Sequence, residues 1–118
     1  MEGSCHCGTV RFEVAAPPTR AGECNCSICW KLGTLWSYYH PRDVRFLSGL
    51  DQTLAYVWGD RTLSFHTCRT CGCTTHWQAL DPARAERMGV NARLLPVFPG
   101  DVEVHHIDCG EHGRFWIR

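Results

Sequence analysis

Eight of the nine cysteines in 118 residues fall into three clusters, and their spacing constrains the fold more than any hydrophobic pattern in the chain. Cys5 and Cys7 form a C-x-C pair in GSCHCGTVRF, and Cys24, Cys26 and Cys29 form a C-x-C-x-x-C triplet in ECNCSICWKLG. Cys68 and Cys71 form a C-x-x-C knuckle in HTCRTCGCTTHW, with Cys73 two residues on. Two thiolates this close in sequence can hold one metal from a tight turn, and a distant second pair completes a tetrahedron. Pairing the doublets gives a four-sulfur site of Cys5, Cys7, Cys68 and Cys71. The triplet is then a three-sulfur site with one position open. A closed site holds a fold together, whereas an open one can do chemistry.

At this length residues 1–118 are expected to form one domain. Such a chain buries only about two-thirds of its unfolded surface, so a cross-linking ion would help it considerably. Formal net charge is zero and no run of Lys or Arg occurs, which argues against nucleic acid and anionic membranes as partners. Local basic positions such as Lys31, Arg42 and Arg69 can still hold a small anion. The start, MEGSCHCG, has no basic segment followed by an apolar stretch, and no run is long enough to span a bilayer. A cytoplasmic location is therefore expected, where such cysteines act as metal ligands or redox groups. The odd cysteine count also argues against a disulfide scaffold.

Strand signals dominate. Residues 9–14 alternate, with Val10, Phe12 and Val14 on one face, and prolines 17 and 18 end the run. Further strands are expected at 35–39, 44–47, 54–58, 62–66, 74–77, 90–94, 102–105 and 115–117. Gly59-Asp60-Arg61 reads as the hairpin that delivers the chain into the Cys68 knuckle. Two short helices are expected. One spans 83–88, with Asp81 as cap, Pro82 in its first turn and Gly89 as stop. The other runs from Ser27 through Leu32, closes at Gly33 and carries Cys29. The result is a small, mainly β domain with metal clamps.

Gly3-Ser4-Cys5-His6-Cys7-Gly8, Cys24-Asn25-Cys26-Ser27-Ile28-Cys29, Cys68-Arg69-Thr70-Cys71-Gly72 and Val90-Asn91-Ala92-Arg93 occur in this order. Together they resemble the glutathione-dependent formaldehyde-activating enzyme family, which also includes centromere protein V. The resemblance runs to about Leu95. It implies a zinc-stabilised β-tent of packed antiparallel sheets. It also implies a structural zinc on Cys5, Cys7, Cys68 and Cys71, and a second, catalytic zinc on Cys24, Cys26 and Cys29. Glutathione and formaldehyde would then be the small-molecule partners, and the activity a carbon–sulfur lyase reaction forming S-hydroxymethylglutathione. Cys73 follows Gly72 where many relatives carry a non-ligand, and the C-terminal portion offers little to match.

Lys31 and Arg42 are candidate anchors for the glutathione carboxylates, with Trp30, Trp36 and Tyr38 as an apolar wall. Each aromatic can equally be ordinary core. His66, Cys73 and His76 surround the knuckle and could complete or replace a ligand set, although residues 66 and 76 need not reach the same ion. Cys73 can instead be a buried thiol packing under the knuckle. Cys109, beside His105, His106 and His112, could form a weak third metal site or a free reactive thiol. The serines have no nucleophile-elbow context. Two other functions compete with the enzyme: a non-catalytic thiol carrier that binds glutathione at the open zinc, and a protein-interaction module.

Overall fold

A computed structural model describes residues 1–97 and 100–109. Ten strands form two sheets among these residues. The smaller sheet has β1 (Glu2–Ser4), β2 (Arg11–Val14) and β5 (Val44–Ser48) in the order β1-β2-β5. The larger contains β3 (Arg20–Cys24), β4 (Trp36–Tyr39), β6 (Thr53–Tyr56), β7 (Leu63–Cys68), β8 (Thr74–Ala79), β9 (Met88–Asn91) and β10 (Glu103–Ile107). Its order is β10-β3-β4-β9-β8-β7-β6. Pairing is antiparallel throughout except for β10, which joins β3 in parallel.

The alternation in β2 works as the sequence demands. Phe12 and Val14 point inward and pack with Met88, Val90 and Leu95 between the sheets. Val10 is buried just before the strand, beside Cys5 and Cys68. A third cluster of Cys29, Trp36, Phe65 and Trp77 packs under the sulfur triplet. The expected mainly β architecture is present, and most strand bounds agree within one or two residues.

Helix α1 spans Ser27–Leu32 and ends at Gly33, which takes φ 68° and donates its N–H to the Cys29 carbonyl. The other expected helix is absent. Residues 82–84 make one 3₁₀ turn, capped by Asp81 Oδ1 accepting from the Ala83 N–H at 3.0 Å. Met88 and Gly89 already belong to β9, held by β4 on one side, with Gly89 also paired to β8 on the other. A six-residue helix is marginal in isolation, and two strand ladders outweigh its propensity. The strand expected at 90–94 accordingly lies earlier. Ala92–Leu94 instead forms a 3₁₀ turn, with Asn91 Oδ1 accepting from the Arg93 N–H at 3.2 Å.

Two strands left no usable pattern in the sequence. β1 has three residues, and β3 reads RAGEC, small and unalternating because Gly22 lies under Ile107 of β10. The strand expected at 115–117 lies outside the described residues. No described helix is long and apolar enough to cross a membrane.

Candidate metal centres

The first centre joins the two ends of the cysteine pattern. Cys5 follows β1, Cys68 ends β7, and Cys7 and Cys71 occupy the turns beyond them. These turns are built alike: Gly8 (φ 81°) donates to the Cys5 carbonyl, and Gly72 (φ 80°) to the Cys68 carbonyl. A side chain would resist that left-handed backbone. The four Sγ atoms lie within 4.8 Å of one another. Cys5 and Cys7 sulfurs are 3.6 Å apart, and those of Cys7 and Cys68 are 3.8 Å apart. Sulfurs about 2.3 Å from a central ion make a tetrahedron with edges of about 3.8 Å. The donor set therefore fits zinc, and all nine cysteines are unbridged.

Backbone N–H groups point at this cluster from Val10 to Cys5 Sγ (3.3 Å) and from Thr70 to Cys68 Sγ (3.4 Å). Such donors spread the negative charge that thiolate ligands concentrate. Burial pushes the Cys5 thiol up to about 11. The Thr9 hydroxyl holds Cys7 below the usual thiol range. Burial also acts upward on Cys71, but backbone N–H groups of Cys73 and Cys7 bring it down to about 5. Crowded thiols thus share their protons unequally, and a dication would let all four ionise.

Cys73 packs against Cys5, Val10 and Cys68 beside this centre, outside the four-sulfur group. His66 and His76 are also outside it. They are register partners on β7 and β8 and stack with centroids 4.3 Å apart. They therefore share one face of the sheet. Both His66 nitrogens meet hydroxyls, of Thr53 and Ser64 at 2.8 and 2.9 Å; His76 Nδ1 meets that of Thr75 at 2.8 Å, while its buried Nε2 has no hydrogen-bond partner among the described residues.

The second centre is local. Cys24 closes β3, Cys26 caps α1 and Cys29 lies within it, their Sγ atoms within 4.8 Å of one another. The helix cap is itself a candidate ligand, with Cys26 Sγ accepting from the Cys29 N–H at 3.5 Å. Cys24 Sγ accepts from the Cys26 N–H (3.4 Å), and Cys29 Sγ from the Trp36 indole N–H (3.3 Å). Contacts with the sulfurs of Cys24 and Cys29 hold the Cys26 thiol far below its ordinary range. Contacts with the sulfurs of Cys24 and then Cys26 push the Cys29 thiol far up.

This triplet opens into a cavity of about 560 Å³, in the size class of small-molecule sites. Trp36, Tyr38, Leu63, Phe65 and Trp77 form its apolar wall, while Trp58, Gly59 and Asp60 of the β6–β7 hairpin form another side. Gly89 shapes that wall. A Cβ there would lie 2.6 Å from Trp77 Cδ1 and Cε2, so only glycine lets the indole cross β9. Arg87 and Cys109 complete the lining.

Trp36 and Tyr38 thus lie where the expected wall required them. Trp30 and Lys31, on the exposed side of α1, do not line the cavity. Arg42 lies in the 3₁₀ turn before β5, in the other sheet. Arg87 is the cation among the described lining residues, and the local sequence signals hide it because they place residue 87 in a helix. Cys109 is brought to the triplet side rather than into a histidine cluster. Asn25, buried between Cys24 and Cys26, accepts from the Cys109 N–H at 2.9 Å and donates to Asp108 Oδ1 at 3.0 Å. His105 and His106 join Cys109 in no metal-ligating cluster among the described residues, and His112 lies outside them.

The chain is mainly β, with one four-sulfur cluster and one three-sulfur cluster that could each hold a metal ion, the latter facing a cavity. The family model described as "Glutathione-dependent formaldehyde-activating enzyme" matches residues 1–101, and the chain belongs to that family. A Halomonas elongata protein named "Putative glutathione-dependent formaldehyde-activating enzyme" is 59% identical over 32 residues. That match spans 26% of this chain and 20% of the relative, so about a fifth of the relative's length is covered. The crystal structure of a Rhodobacter sphaeroides protein, a structural genomics target, superposes with a TM-score of 0.75 at 35% identity. It covers 89% of this chain and 100% of its own.

Proposed function

We propose that the protein joins a thiol, glutathione in the family's chemistry, to formaldehyde at the Cys24–Cys26–Cys29 centre, giving S-hydroxymethylglutathione. One observation carries the reading: three sulfurs, one short of a tetrahedral set, face a cavity large enough for a peptide thiol. In this reading Cys5, Cys7, Cys68 and Cys71 hold a structural zinc. Cys24, Cys26 and Cys29 would hold a second zinc, which would supply a lowered pKa to a thiol bound there.

The chain's own residues position and enclose. Cys24, Cys26 and Cys29 fix where sulfur arrives, and their N–H donors keep them pointed inward. The aromatic wall excludes water and holds the peptide part of the thiol, so that a small aldehyde meets sulfur at short range. Sulfur bonds to the carbonyl carbon, the C=O π pair moves to oxygen, and that oxygen takes a proton. The atoms of thiol and aldehyde are all retained in the adduct. Burial raises the Tyr38 phenol above its ordinary range, with Arg87 acting in the opposite direction. Tyr38 therefore remains a neutral O–H donor at the cavity wall near neutral pH.

Calorimetric titration of reduced glutathione into zinc-loaded protein, with oxidised glutathione as control, tests this directly. Saturable binding of the reduced form alone, followed by formaldehyde-dependent adduct formation above the uncatalysed rate, is expected. Binding without acceleration would instead make the protein a thiol carrier. Absence of binding would leave two sulfur centres that only hold a fold.

A further inference from the structure

Arg87 lies immediately before β9, and it is the one cation among the described residues lining the cavity. Its guanidinium carbon sits 4.5 Å from the centroid of the Tyr38 ring. The stack is set by sheet pairing, because Tyr38 on β4 is the register partner of Gly89 on β9. The guanidinium lies over the ring, and its N–H edge matches a carboxylate with two parallel hydrogen bonds.

No carboxylate of the described chain uses that edge. Arg11, Arg20, Arg45 and Arg84 each pair with an acidic residue, whereas Arg87 forms no ion pair among the described residues. Asp60 is the one carboxylate among the described residues lining the cavity. Its Oδ1 closes the hairpin by accepting from the Thr62 N–H (3.3 Å) and hydroxyl (2.9 Å). Among its described lining the cavity therefore presents a cation at its exposed rim, beside apolar walls and with no carboxylate paired to it.

We propose that Arg87 binds a carboxylate of the incoming thiol and makes the cavity selective for anionic peptide thiols over neutral ones. This rests on the reading of the triplet as an open thiol site. Arg87 would act on binding, by fixing the far end of the thiol while its sulfur meets the triplet, and it takes no part in forming the carbon–sulfur bond.

The test titrates zinc-loaded wild-type and Arg87→Gln proteins with reduced glutathione, with its diethyl ester and with 2-mercaptoethanol. Wild type is expected to bind glutathione about two- to fivefold more tightly than the diester, as one exposed charge pair implies. In Arg87→Gln, glutathione should weaken to the level of the diester, with diester and 2-mercaptoethanol affinities unchanged. Equal affinity of wild type for glutathione and diester would overturn the role of Arg87 while leaving the open site intact. Wild-type affinity of Arg87→Gln for glutathione would overturn it equally. If no thiol binds wild type, the open-site reading fails and this inference with it.

Discussion

Replacing Trp36 with Phe separates support of the sulfur triplet from simple packing. The indole is 1% exposed, its ring lies 6.3 Å from that of Phe65, and its N–H donates to Cys29 Sγ at 3.3 Å. Phenylalanine keeps an aromatic ring in place and removes the donor. A hydrogen bond to a charged acceptor contributes about 1.5–3 kcal/mol. Loss of a partner that supports a ligand typically weakens metal binding by about 10- to 100-fold. Packing loss on shrinking the ring should cost roughly 1–3 kcal/mol of stability. The direction with pH follows as well. Cys24 and Cys26 push the Cys29 thiol up, and the Trp36 N–H acts against them. Without that donor the thiol rises further, so zinc uptake, which displaces thiol protons, moves to higher pH. Competition with a chromophoric chelator should show two zinc phases, the weaker one assigned to the triplet by its loss in Cys26→Ser. Trp36→Phe should weaken that phase alone. If both phases are unchanged while thermal stability falls, the indole only packs and gives the triplet no support.

The two sulfur centres should respond differently to loss of a ligand. Cys68→Ser should abolish cooperative unfolding seen by circular dichroism, because residues 5–7 and 68–71 lose the ion that ties them. Cys26→Ser should stay folded with one fewer zinc by elemental analysis; unfolding of that variant would remove the distinction between closed and open sites. Gly89→Ala should displace the Trp77 indole, cost about 1–3 kcal/mol and weaken glutathione binding, with zinc content preserved. His76 gives a pH signature. Burial, with His66 adding to it, lowers its pKa from 6.5 to about 3, so the neutral ring belongs to the folded state. The unfolded chain takes up that proton first, so stability is full above about pH 6.5 and falls as pH drops toward about 3. The slope is at most ~1.4 kcal/mol per pH unit. His76→Phe should show a shallower acid slope than wild type in urea titrations; parallel slopes would show that this ring does not contribute.

What the sequence determined by itself was local. Cysteine spacing separated a long-range pair of doublets from a self-contained triplet, because C-x-C and C-x-x-C place sulfurs on a single turn. Ser27 to Gly33 specified α1 to the residue, and the alternation of Phe12 and Val14 specified the buried face of β2. The 83–88 segment shows where local signals fail. Asp81, Pro82 and Gly89 are all good helix punctuation, yet strand pairing on both sides draws Met88 and Gly89 into the sheet. With that displacement Arg87 moves from an expected helix to the edge of the cavity, over Tyr38. Cys109 reaches the triplet side only through the parallel β10–β3 pair, whose register sets Ile107 beside Cys24. The cavity draws on β3, α1, β4, the β6–β7 hairpin, β7, β8, Arg87 and Cys109. Only the tertiary structure could assemble it, since long-range strand register decides which side chains meet and leaves no period or motif in the chain.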